Sequence, residues 1–188
     1  AGAEIQRAAW ADDASALVIF AKSGELTVWK ELAGEPGLAF ESNLSRLEGA
    51  ISALAVERDG RYSVAGMKRE ESSLVYLARE GADPAMLTIV ADVSALLFSN
   101  DALYIANRSR NEVVKVGDLS GNVSVLSFAG EGSGVFDPVG LAASADGQML
   151  LIASGGRKQI VAVDFATGAQ KSVLDLDFEP TRLDRLTR

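Results

Sequence analysis

Apolar and polar positions alternate with period two along most of the chain, or gather into short β-branched runs, and helical spacing is weak throughout. Gly, Asp, Asn and Ser interrupt the pattern at short intervals. The first group predicts strands over 5–10, 16–21, 25–30 and 38–41, with turns at Asp12-Asp13, Lys22-Ser23-Gly24 and 34–37. A second predicts 51–56, 62–67, 74–78 and 86–90, turning at Asp59-Gly60, 68–72 and 81–84. Asp-Gly is a favoured hairpin turn because both positions tolerate positive φ. A third predicts 93–98, 103–106, 112–116 and 123–128, and a fourth 139–143, 149–153, 159–164 and 171–176.

Asp13, Asp59, Asp101 and Asp146 each close an apolar segment and open a turn, at spacings of 46, 42 and 45 residues. A period of about 40–50 residues built of short strands marks a propeller blade. The expected fold class is therefore all-β, a β-propeller of four-stranded antiparallel blades over 4–49, 50–92, 93–137 and 138–180. Residues 181–188 are expected to form the inner strand of a fifth blade, because Leu183 falls where Leu54, Leu96 and Leu141 sit in their repeats. A blade buries its faces only against its neighbours, so four blades and one strand would leave two apolar faces open. The expectation is part of a ring of six to eight blades, completed by further blades or by a second chain.

Composition narrows the chemistry. The 188 residues are 48% apolar and 23% charged, ordinary for a globular chain. No apolar run approaches the ~20 residues that span a bilayer, and no Lys/Arg-flanked apolar segment opens the chain. A net charge of −8 disfavours phosphate backbones, so nucleic acid is not an expected partner. Cysteine and histidine are both absent, which removes thiolate and imidazole metal sites, a Cys nucleophile and Ser-His-Asp chemistry.

The fourth repeat carries a Gly-Glu-Gly-Ser-Gly loop at 130–134, then Phe136-Asp137-Pro138-Val139-Gly140-Leu141, Ala145-Asp146-Gly147, and IVAVDFATG over 160–168. The third keeps KVGDLSG over 115–121, and the first two match only in period. These segments resemble NHL-type repeats and, more loosely, the YVTN repeats of surface-layer-type propellers. The resemblance implies a binding scaffold, with a minority of relatives acting as lactonases or lyases. It also implies an extracytoplasmic or secreted setting.

Two sets of candidate site residues follow. The turns between second and third strands carry Lys22, Lys68, Arg69, Arg108, Arg110, Arg157 and Lys158, which share one edge of the blades as a basic rim suited to an acidic protein or an anionic small molecule. Acids at the other turns, among them Asp12, Asp59, Asp101, Asp146, Asp118 and Asp164, fall on the opposite edge. The alternative is a metal-dependent, sugar-lactonase-like hydrolase in which Asp92, Asp137 and Glu179, just ahead of inner strands, hold a divalent ion such as calcium. No cofactor is otherwise expected. The 130–134 glycines precede a strand rather than a helix, so they read as a connection between blades and not as a phosphate loop. Asn43, Asn107 and Asn122 open N-x-Ser sequons, and Trp10, Trp29 and Phe98 are expected in the core.

Overall fold

A computed structural model describes residues 4–121 and 123–184. Among them are sixteen strands and three single-turn 3-10 helices, arranged as four four-stranded antiparallel sheets whose strands follow chain order. Two compact units result, one ending at Val90 and one beginning at Ala91, with two sheets in each.

In the first unit, β1 (Ile5–Trp10), β2 (Ala16–Ala21), β3 (Glu25–Lys30) and β4 (Gly37–Asn43) form one blade. The second holds β5 (Ala50–Val56), β6 (Tyr62–Lys68), β7 (Ser73–Arg79) and β8 (Ala82–Val90). Alternation sends Val18, Phe20, Leu26, Val28 and Phe40 to one side of the first sheet, where they bury against Leu54, Val56, Ala65 and Met67 of the second. At the β1–β2 turn the Asp12 carboxylate is 1% exposed and takes Arg58 in a two-point bond, Nε to Oδ1 at 2.7 Å and Nη2 to Oδ2 at 2.8 Å. That fork fastens the first blade to the β5–β6 turn of the next.

The other side of the first sheet differs from expectation. Register places Trp10, Leu17, Trp29 and Leu38 in one row across all four strands. Trp10 is 59% exposed, whereas Phe98, at the equivalent place beside its own hairpin, is 6% exposed. Trp10 is therefore not a core residue, and Trp29 is only half-buried, because no blade of this unit covers that face. The turn expected over 81–84 is also shorter. Arg79 pairs with Ala82, so Glu80 and Gly81 alone make the hairpin and Pro84 lies inside β8. An outer strand accepts proline because one of its edges needs no ladder donor.

The second unit repeats the plan with β9 (Val93–Ser99), β10 (Ala102–Asn107), β11 (Glu112–Gly117) and β12 (Ser124–Ala129), then β13 (Pro138–Ala143), β14 (Met149–Ser154), β15 (Gln159–Asp164) and β16 (Gln170–Asp175). All six residues of β10 are buried. Between the blades, Tyr104 packs its ring 5.1 Å from those of Phe128 and Phe165, amid Leu141, Leu150, Ile152 and Val163. Gly168 turns with φ +69°, and a Cβ there would lie 2.1 Å from the Phe128 carbonyl oxygen, so only glycine closes the β15–β16 turn. Of the strand expected over 181–188, residues 181–184 carry no ladder and 185–188 lie outside the described residues. The Leu183 amide nevertheless comes within 2.5 Å of where a Gly140 Cβ would stand, so the segment lies directly against inner strand β13.

Candidate binding face

Two equivalent turns build the face in the second unit. Each links a second to a third strand through a 3-10 helix, Arg108–Arg110 after β10 and Gly155–Arg157 after β14, and each closes on a left-handed residue, Asn111 at φ +52° and Lys158 at φ +53°. The first residue of each turn is tied to the acid that precedes an inner strand: Arg108 N–H donates to Asp92 O at 2.8 Å, and Gly155 N–H to Asp137 O at 2.9 Å. In the first unit Lys22 N–H does the same with Glu4 O at 2.9 Å. The acid ahead of an inner strand thus lies on the same edge as the basic turn.

Many of the basic side chains meet those acids. Lys22 Nζ is 2.5 Å from Glu4, Arg69 pairs with Glu48, and Arg108 grips Asp137, just ahead of inner strand β13, through both Nε and Nη2. The Asp137 carboxylate raises the Arg108 pKa, chiefly through that hydrogen bond. Asp137 is wedged in place, because Asn111 Oδ1 accepts its N–H at 2.9 Å and a Cβ on Gly155 would come within 2.7 Å of its carboxylate. Lys68 ends β6 as an exposed residue. Arg110, Arg157 and Lys158 are exposed and make no ion pair among the described residues. Arg157 instead lies over the Phe136 ring, its guanidinium carbon 3.2 Å from the ring centre.

The expected rim is thus divided. Lys22, Arg69 and Arg108 are neutralised on the spot, while the second unit keeps three cations facing outward. The nearby acids are also held: Asn107 Nδ2 donates to Glu112 at 2.8 Å and Asn111 Nδ2 to Glu131 at 2.8 Å. Asp92 and Asp137 both act on Arg108, but among the described residues no three acids, Asp92, Asp137 and Glu179 included, gather in a way that could hold a metal ion. The sequons separate too. Asn107 is 2% exposed and its amide oxygen also accepts the Asp92 N–H, whereas Asn43 is exposed and Asn122 lies outside the described residues.

Sequence reasoning missed Phe136, Asn107, Asn111, Glu4 and Glu48 as parts of this edge. The inner-to-second strand register was the available signal. Pairing Pro138 with Ser154 brings the residues just before β13 beside those just after β14, and so Phe136 beside Arg157.

No family model matches the chain, and no curated protein matches it in sequence. Solved structures do match in fold. A functionally unknown protein from Desulfotomaculum acetoxidans DSM 771 aligns with TM-score 0.69 at 14% identity, over 97% of this chain and 59% of that one. The Cps50 (Swd1) β-propeller domain from Myceliophteria thermophila aligns with TM-score 0.66 at 14% identity, over 100% and 60%. A chain of a nidogen/laminin complex aligns with TM-score 0.61 at 11% identity, over 89% and 61%. The chain is therefore built of β-propeller blades, and it spans about three fifths of the length of the solved chains it matches.

Proposed function

We propose that this chain is a non-catalytic binding scaffold, and that the 3-10 turn edge of its second unit takes an acidic protein segment or an anionic small molecule. One observation carries the reading: Arg110, Arg157 and Lys158, on equivalent turns of adjacent blades, face solvent with no acid paired to them among the described residues, while Arg108 is occupied by Asp137. The side chains around them suit binding more than catalysis. The sequence holds no His or Cys, and the Asp137, Glu112 and Glu131 carboxylates beside these turns are bonded to Arg108, Asn107 and Asn111, which leaves them less free to act as a general base. The NHL- and YVTN-like motifs of the fourth blade support the same reading, because such propellers are mostly binding scaffolds.

A fluorescein-labelled peptide of alternating glutamate and glycine, with its carboxylates spaced apart, tests it by anisotropy against the full chain at low salt. The unaltered chain should bind saturably, and the triple change Arg110→Glu, Arg157→Glu, Lys158→Glu should weaken binding at least about tenfold. The change Lys22→Gln, at a cation already paired with Glu4, should leave it unaltered. Equal binding by the triple variant, or none by the unaltered chain, rejects the proposal.

A further inference from the structure

We infer that Arg157 is the specificity-determining residue of this edge, receiving one carboxylate of an acidic peptide segment along the free N–H edge of its stacked guanidinium. The inference rests on the binding role proposed above and adds which group selects the ligand. At 3.2 Å from the ring centre, the guanidinium can only lie flat on Phe136, since any edge-on approach would drive its nitrogens into ring carbons. One face of the plane is then covered, and among the described residues no hydrogen bond or ion pair takes the guanidinium N–H groups. The platform beneath is itself fixed. Phe136 N–H donates to Ser154 Oγ at 3.3 Å, the Ser154 hydroxyl donates back to Phe136 O, and Ser154 is fully buried. The turn carrying Arg157 is packed down as well: a Cβ on Gly156 would come within 3.3 Å of Asp137 Cβ.

A guanidinium held in plane loses little rotamer freedom when it meets a ligand, and its fork of donors matches a planar carboxylate at two points. Arg110, at the same place in the preceding blade, makes no such ring contact among the described residues, so it adds charge without orientation. The chain's net charge of −8 repels dense polyanions. A short peptide with a few spaced carboxylates suits one fixed and one mobile guanidinium on adjacent turns.

The experiment uses charge-conserving variants of the full chain with the same glutamate–glycine probe. Arg157→Lys keeps the charge and loses the fork, and Phe136→Leu keeps the charge and loses the ring. Each should weaken binding about fivefold, while Lys171→Gln, a cation paired with Asp164 away from this edge, stays within about twofold. Thermal unfolding checks that the variants fold, and Arg157→Lys, at an exposed position, decides the matter should Phe136→Leu disturb the turn. Inorganic phosphate at matched ionic strength should fail to displace the peptide. Wild-type affinity in Arg157→Lys, or displacement by phosphate, overturns the inference and leaves the scaffold proposal standing on the charge-reversal result. Absence of binding by the unaltered chain overturns both.

Discussion

Tyr104 shows how much one atom can matter inside a blade interface. The residue is 0% exposed, and its hydroxyl has no hydrogen-bond partner among the described residues. A phenol in that position contributes ring packing against Phe128 and Phe165 but leaves its polar group desolvated and unpaired. Tyr104→Phe keeps the ring and removes the orphan, so its stability should be unchanged or higher by up to about 1 kcal/mol. Burial also pushes the Tyr104 pKa up to about 12, because taking the charged phenolate out of water costs more than taking out the neutral phenol. The unfolded chain titrates near ~10, so the folded state favours the neutral phenol. The resulting stability is complete below about pH 10 and is lost as pH rises towards about 12. Thermal melts from pH 8 to 12 should therefore show a fall in Tm above pH 10 that is shallower in Tyr104→Phe. Identical slopes in the two proteins would exclude this account.

Among the elements, the first sheet contrasts two aromatic residues on opposite faces. Phe20 is 4% exposed in the core shared with the second blade, and Trp10 is 59% exposed on the other side. Phe20→Ala should cost about 3–5 kcal/mol, while Trp10→Ala should stay within about 1 kcal/mol. Urea unfolding followed by far-UV circular dichroism would decide it, and equal losses would mean that the Trp10 face is covered in solution. The same pair marks where reading the sequence stops. Strands were legible because alternation and Gly or Asp turns are local properties, and most ends fell within one or two residues. The start of β8 was missed because Pro84 looks like a breaker unless the strand is known to be an outer one. Trp10 and Phe98 looked alike because alternation assigns a face and cannot say what covers it. The candidate site was half legible for a similar reason. The basic turns follow from the repeat, but Arg108 with Asp137, and Arg157 with Phe136, meet through packing between blades and through strand register, which local patterns do not encode.

For the whole molecule, an acidic chain with a pI near 4.6 owes part of its acid sensitivity to hydrogen-bonded turns rather than to net charge. Asp146 is held below the usual carboxylate range by the Ser144 hydroxyl and then by the Gln148 N–H. At Asp13 burial acts upward, but the Ser15 hydroxyl and N–H outweigh it, and the pKa is lowered. Asp164 behaves likewise, burial being outweighed by bonds from the Thr167 hydroxyl and the Thr167 and Ala166 N–H groups. In each case the folded pKa lies below the unfolded value of ~3.9, so the turn contributes stability above that pH and loses it as pH falls through the folded value. One of these turns belongs to the first unit and two to the second, so both units should weaken in the same window. Tm should hold level from pH 7 to about 5 and drop below about 4, so the pI would mark no change in stability. The triple variant Asp13→Asn, Asp146→Asn, Asp164→Asn should melt lower at pH 7 and show a shallower acid fall. An unchanged acid slope would exclude these three turns as its source.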